Sequence, residues 1–454
     1  MNDGTVIIKD ARTLGMGKMM ILGLQHMFAM FGATILVPIL VNGYFHGSGL
    51  SVQVTLLCAG LGTLGFHFIT GFKVPAFLGS SFAFLGGFAT IAELNTGIYK
   101  DMSYADKLPY ACGGIVVAGL LYIVLAIIVK LVGVRRVMRY LPPIVTGPII
   151  ICIGLSLYPS TLANITTNVP LAIVAALTVI LFYVKGKGMF KILPILMGVV
   201  ISYIVAIIMQ SLGVTNSDGS DIINTAALAS SAWVGLPPLQ MVKFDPTAIM
   251  VMSPISIATM MEHVGDMVAI SATTGENYIE DPGLHRTLVG DGLMTAFAGA
   301  IGGPANTTYG ENTGVLELSK VHDPRVIRIA AIVATVLGFT PKVANIFGTM
   351  PAGIVGGISF ILYGMIAGIG VRNLVENKVD FTNSRNLIIF GLITGAALVF
   401  SAGITFTVAG TSITLTGLAL AAIVGIITNA ILPNEDYEFN EDDKGAKHRG
   451  IHIG

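Results

Sequence analysis

The stretch "GGPANTTYGENTG", residues 302–314, decides how this chain folds. It places two Asn, three Thr, a Tyr and the carboxylate of Glu311 inside a chain that is otherwise apolar. Of 454 residues, 54% are hydrophobic and 11% charged, and the mean hydropathy is +0.82. A soluble domain carries about 25% charged residues, so this much apolar surface has no place in a water-soluble core. The composition is that of a polytopic membrane protein. Segment 306–318 is too short to span as a helix, because thirteen residues reach about 20 Å and the hydrocarbon core is about 30 Å thick. Extending its first five residues, at about 3.3 Å each, closes most of that gap. The hydroxyl, β-branched and aromatic side chains of "ANTTY" suit extended backbone.

A second short segment, 78–92, opens on a similar stretch, "LGSSF". Extended backbone at membrane depth is tolerated only where protein or a cavity satisfies its polar groups. The two stretches are therefore expected to pair near the midplane, each handing over to a short helix near Phe82 and Gly310. The first N–H groups of a helix lack internal partners and would face a central cavity as donors.

Runs of about 20 apolar residues place full spans near 19–41, 50–70, 108–131, 141–159, 169–184, 192–211, 247–271, 285–301, 326–347, 351–371, 385–401 and 413–432. With the two short segments the chain has fourteen. A cytoplasmic N-terminus then leaves only Lys100, Lys107, Lys243 and Lys342 of the 25 Lys and Arg residues outside, as the positive-inside rule requires. Both termini are expected in the cytoplasm. The first span doubles as the targeting signal, since "MNDGTVIIKDARTLGMGK" lacks a signal peptide's apolar core. The 212–246 loop, with the sole tryptophan Trp233, is read as extracellular, and the stretch after Pro433 as a polar cytoplasmic tail.

The two halves echo one another. "LQHMFAM" (24–30) pairs with "MEHVGDM" (261–267), "GSSFAF" (79–84) with "NTTYGEN" (306–312), and "LPPIVTG" (141–147) with "MPAGIVGG" (350–357). Seven segments per half is odd, so the second half runs in the opposite sense, which is the inverted repeat of many secondary transporters. The fold class is thus an all-α polytopic membrane protein of fourteen transmembrane segments in two inverted seven-segment repeats, with two short midplane strands in segments 3 and 10.

Glu262 and Glu311 fall within spans, and Asp266 follows Glu262 on the same helix face. Intramembrane acids are costly and mark function by default. Carboxyls crowded in low dielectric cannot all ionise, so one is placed to carry a proton, and each can accept a substrate N–H. Pairing to His or Asn for helix cohesion is the competing reading, evenly weighted for Asp266. Gln25, His26 and His263 are polar neighbours at matching depths of the two repeats, Asp291 reads as a structural cap or pair, and Tyr363 equally as a bundle hydrogen bond or a gate contact. Cys58, Cys112 and Cys152 lack metal-ligand spacing and read as buried thiols. No HExxH, GxSxG or P-loop pattern offers a seat for enzymatic chemistry. Zero net charge gives no sign of a nucleic-acid partner.

Together these residues resemble the bacterial, uracil-carrying branch of the nucleobase–cation symporter (nucleobase–ascorbate transporter) family. The likeness rests on "GLQHMFAMFGATILVP" (23–38), "VPAFLGSSFAF" (74–84), "MMEHVGD" (260–266), "DPGLHRTLVGDGLMTAFAG" (281–299), "GGPANTTYGENTGV" (302–315) and "MPAGIVGGISFILYGMIAGIGVR" (350–372). Xanthine and urate carriers usually have a glutamine-containing version of the fifth. The resemblance implies a core domain (1–138 and 246–348) and a gate domain (139–245 and 349–432), followed by the tail (433–454), in a homodimer in the cytoplasmic membrane. It implies uracil between the two half-helices, with Glu262 and Glu311 accepting from ring N–H groups. Backbone N–H groups of Phe82 and Gly310 would donate to ring carbonyls, with Phe82 and Tyr309 as aromatic neighbours. Gln25, His26, Ser81, His263, Asn312 and Tyr363 are supporting residues. Protons are the implied coupling ion, shared among Glu262, Asp266 and Glu311. Asp266 stands where at least one relative has histidine, which leaves the proton's carrier open. No cofactor or metal is implied. The expected function is proton-coupled uracil import. A purine carrier, a sodium-coupled carrier, and an anion exchanger or channel on the same fold are the alternatives.

Overall fold

The computed structural model describes residues 7–224, 229, 231–401, 403–408 and 411–433. Its helices of seven residues or more are, in chain order, α1 (Met16–Tyr44), α2 (Val52–Ile69), α3 (Leu85–Glu93), α4 (Tyr104–Val132), α5 (Pro143–Ser156) and α6 (Tyr158–Thr167). Then follow α7 (Val169–Lys185), α8 (Pro194–Ser211), α9 (Pro246–Met252), α10 (Ile255–Thr274), α11 (Leu284–Ala300) and α12 (Gly310–Ser319). The last are α13 (Pro324–Leu337), α14 (Pro341–Gly348), α15 (Ala352–Glu376), α16 (Ser384–Val399) and α17 (Gly417–Ile431). Polar residues punctuate them: Ser51, Ser103, Asn168, Asp245, Asp323, Asn383 and Thr416 each cap the helix they precede with a side-chain oxygen, satisfying donors the helix cannot.

Among the described residues, seven stretches are long and apolar enough to cross a bilayer, including α5 with α6 (Pro143–Thr167) and α9 with α10 (Pro246–Thr274). An eighth counts if α13 and α14, bent by 86° at their junction, form one span. Apolar helices α7, α16 and α17 are shorter, at 17, 16 and 15 residues. The expected 326–347 span is therefore broken, because Gly338 and Pro341 interrupt its hydrogen bonding. Where a helix was expected from 413, a hairpin of β3 (Ile404–Val408) and β4 (Thr411–Leu415) precedes α17. "TSITL" is β-branched at alternate positions, and the two-strand period wins over bulk hydropathy. The tail beyond residue 433 lies outside the described residues.

The helices pack in two groups. In one, α11 lies along α4 and α2, while α13 lies along α2 and α1. In the other, α15 is flanked by α5, α6 and α7, with α16 and α17 against α5. Both groups close through glycine. A Cβ on Gly119 would fall 2.5 Å from the Gly292 carbonyl, and one on Gly370 would fall 2.6 Å from the Gly147 carbonyl. Between apolar helices there is no hydrophobic gain over lipid, so backbone approach of this kind supplies the packing.

At the heart of the first group the two polar stretches pair as expected. Strands β1 (Leu78–Ser80) and β2 (Asn306–Thr308) run antiparallel, with Leu78 opposite Thr308, Gly79 opposite Thr307 and Ser80 opposite Asn306. Backbone bonds from Ser81 to Ala305 (2.8 Å) and from Tyr309 to Phe77 (3.0 Å) extend the ladder at both ends. Each strand has three residues rather than five. Helix α12 starts at Gly310 as read, but α3 starts at Leu85, three residues after Phe82, with residues 82–84 forming a turn.

Candidate functional site

Antiparallel strands send their following helices in opposite directions, so α3 and α12 diverge from the strand pair. Neither N-cap residue, Phe84 or Tyr309, makes a side-chain cap bond, although the Leu85 N–H donates to the Phe82 carbonyl (3.1 Å) and the Glu311 N–H to its own carboxylate. Around the start of α12 the packing is open. Gly310 is exposed, and a Cβ at Gly310, Gly314 or Gly265 would meet no atom within 4 Å. Gly265 lies between Glu262 and Asp266 on α10, and Glu311 is in the first turn of α12. These two helices pack against each other, so the three carboxylates share one region. Glu262 lies within electrostatic range of Asp266, Asp291 and Glu311.

The carboxylates differ in what holds them. Thr308 Oγ1 donates to Asp266 Oδ2 at 2.5 Å, tying α10 to β2. Glu262 and Glu311 are half-buried; among the described residues Glu262 makes no hydrogen bond or ion pair, and the Glu311 carboxylate is bonded only by its own backbone N–H. A half-buried carboxylate that accepts from no other residue is a ready acceptor for a ligand N–H.

The remaining expected site residues divide between this region and its supports. Tyr309 is buried, and its ring lies over Gly79, where a Cβ would come within 2.3 Å of it. Its hydroxyl donates to the Ser80 carbonyl (2.9 Å) and accepts from Thr34 Oγ1 (3.3 Å). It is thereby a staple between α1 and both strands. Phe82 is half-buried in the turn before α3. Ser81 Oγ is buried without a protein partner, as is Thr307 Oγ1 on the opposite strand. Asn312 Nδ2 donates to the His26 carbonyl at 3.0 Å and lies 3.2 Å from His26 Nδ1, joining α12 to α1. Gln25, beside His26, is half-buried. His263 points away from the carboxylate face of α10, with Nδ1 3.1 Å from Asp291 Oδ2 and both side chains wholly buried. Tyr363 sits elsewhere, in the second helix group, its ring 6.2 Å from that of Tyr158.

Sequence reasoning missed Thr308, Thr34 and Ser80 as individual participants. The signal for Thr308 and Ser80 was present in the hydroxyl pairs of "NTT" and "GSS". Which hydroxyl faces a carboxylate depends on strand register, which the letters alone do not fix. The three cysteines are free and buried.

Comparison with known proteins places this geometry in context. Residues 17–410 match a family model described as "Permease family". The uracil permease of Bacillus caldolyticus is 37% identical over 468 residues, covering 98% of this chain and 100% of its own. The probable uracil permease of Haemophilus influenzae is 37% identical, covering 93% and 96%. The putative pyrimidine permease RutG of Escherichia coli K12 is 36% identical, covering 94% and 92%. Among solved structures, the transmembrane domain of the cyanobacterial bicarbonate transporter BicA aligns with a TM-score of 0.59 at 17% identity, covering 89% of this chain and 97% of that one. The murine anion transporter Slc26a9 in its inward-facing state gives 0.60 at 11% identity, covering 91% and 67%. At such identities the likeness is one of fold.

Proposed function

We propose, from the premise that this chain belongs to the permease family it matches over residues 17–410, that it imports uracil across the cytoplasmic membrane by proton symport. The chain is a multi-pass membrane protein and a transporter, not an enzyme. The observation that carries the substrate is the juxtaposition of acceptors and donors. Two carboxylates that accept from no other residue, Glu262 and Glu311, flank the start of α12 at Gly310. A pyrimidine edge alternates N–H donors with carbonyl acceptors, and this arrangement complements it. The names of the relatives support the same ligand.

In this reading Glu262 and Glu311 accept from ring N–H groups, while backbone N–H groups near Phe82 and Gly310 donate to ring carbonyls. Phe82 flanks the ring, and Tyr309 keeps the strand pair in place behind it. The proton travels on the set Glu262, Asp266 and Glu311. His26 with Asn312, and His263 with Asp291, hold the helices that bear these groups, with Gln25 and Ser81 as further supporting residues. Fourteen segments in two inverted repeats, with both termini cytoplasmic, form a core domain (1–138 and 246–348) that moves against a gate domain (139–245 and 349–432) in a homodimer. Tyr363 then belongs to the gate. The antiparallel register of β1 and β2 supports the inverted repeat, because a two-fold relation between repeats requires it. The carboxylates disfavour an anionic substrate of the kind the structural neighbours are named for.

Uptake of labelled uracil into proteoliposomes, driven first by a proton gradient alone and then by a sodium gradient alone, tests the proposal. Accumulation with protons only, abolished in Glu262→Ala, is the expected result. Sodium-only accumulation overturns the coupling, and no accumulation under either gradient overturns the substrate in favour of a purine.

A further inference from the structure

The stretch "SAWVGLPPLQMVKF", residues 231–244, crosses from one half of the chain to the other and contains no acidic residue. A connecting loop in water is normally polar. This one turns Trp233, Val234, Leu236, Leu239, Met241 and Phe244 outward, with Val234, Leu236 and Met241 each at least 80% exposed. Its inner side is anchored by backbone bonds from Gly235 to Phe339 (3.0 Å), Gln240 to Ile301 (3.3 Å), Lys243 to Pro109 (3.1 Å) and Lys342 to Ala232 (2.9 Å). The strap thus lies across the C-terminal end of α11, the second and third turns of α4 and the α13–α14 bend. Glycines let it sit directly on those ends. A Cβ on Gly113 would fall 2.0 Å from the Lys243 carbonyl, and one on Gly302 would fall 2.7 Å from Gln240 Cβ.

A fixed backbone with outward apolar side chains at the ends of spanning helices lies where the bilayer meets water. The chemistry matches that depth, since tryptophan with lysine beside it is the composition of the interfacial belt. Lys342 Nζ lies 5.9 Å from the centre of the Trp233 ring, and Lys243 Nζ lies 5.5 Å from that of Tyr110. Their long stems allow the ammonium groups to reach the phosphate layer while the rings stay lower. Farther along α4, Leu120, Val124 and Ile127 are exposed apolar side chains as well.

We propose that residues 231–244 form an interfacial anchor, lying in the headgroup–acyl boundary of a lipid bilayer rather than free in water, and fixing the depth of the α4, α11 and α13 ends. Trp233 is the only tryptophan in the chain, so the unaltered protein reports on this directly. The full chain would be reconstituted into phosphatidylcholine vesicles, with and without bromine on the upper acyl carbons, and its emission read against aqueous iodide. Trp233→Phe removes the only indole and sets the background. The expected result is a blue-shifted emission that loses most of its intensity to upper-chain bromine and little to iodide. Strong quenching by iodide with no response to bromolipid overturns the anchor in favour of a water-exposed loop. Protection from both quenchers overturns it in favour of cover by another protein surface, such as a second copy of the chain.

Discussion

Thr308 Oγ1 and Asp266 Oδ2 lie 2.5 Å apart, so a strand residue of one short segment holds a carboxylate of the helix beside it. The bond fixes one acid of the three, while Glu262 and Glu311 accept from no other residue among the described ones. A hydrogen bond to a charged group contributes about 1.5–3 kcal/mol. Thr308→Val is expected to lower uracil uptake about tenfold or more, with Thr308→Ser close to the parent. Initial uptake rates of the two variants in proteoliposomes, set against their folded yield, check this.

Gly310 separates fold from function in a second test. A methyl group there meets no atom within 4 Å, so Gly310→Ala should fold with a melting temperature within about 1–2 °C of the parent, as surface changes cost within about 0.5 kcal/mol. In the proposed site that methyl occupies the ligand's space, and uptake should fall at least tenfold through a raised KM. Unchanged uptake kinetics would show that the substrate lies elsewhere.

The reverse behaviour is expected at Gly79. Its Cβ would approach the Tyr309 ring to 2.3 Å, and overpacking of this kind costs about 1–3 kcal/mol. Gly79→Ala should lower thermal stability and uptake together. Tyr309→Phe, which keeps the ring and deletes the hydroxyl bonds to Ser80 and Thr34, should cost about 1–2 kcal/mol. Detergent melting curves of both variants supply the comparison.

His322, in the turn between α12 and α13, gives a pH dependence. Burial first, then the charge of Lys320, holds its imidazole below the ordinary value, against the opposing carbonyls of Leu316 and Thr274. The unfolded chain takes up a proton near pH 6.5 that the folded chain resists. This contribution to stability is therefore complete above about pH 6.5, and it is lost as pH falls from there towards the lower folded-state value. Melting temperature should drop between pH 7.5 and 5.5 in the parent and drop less in His322→Gln.

Much of this molecule was legible in its letters. Apolar runs and the sparing of charge pointed to a mostly helical multi-pass membrane protein, because a bilayer punishes unpaired polarity along about 30 Å of helix. The short segments 78–92 and 306–318 announced strand followed by helix, because fifteen and thirteen residues are too few to span as helices. Local chemistry misled where two periods competed, as at 413–415, where β-branched alternation makes a strand inside an apolar run. It was also imprecise at Phe82, since a turn of three residues comes before the helix.

What tertiary structure alone decided is which polar atoms face one another. Sequence brought Glu262, Asp266 and Glu311 forward as costly intramembrane acids. Only the register of β1 on β2, and the packing of α10 against α12, gave Thr308 to Asp266 and no such side-chain donor to Glu262 or Glu311. The same holds for Tyr309, whose ring and hydroxyl are committed to Gly79, Ser80 and Thr34 on segments far away in the chain. Spacing along a chain fixes which face of a helix a residue occupies. The partner on the other side of that face is set by how the segments pack.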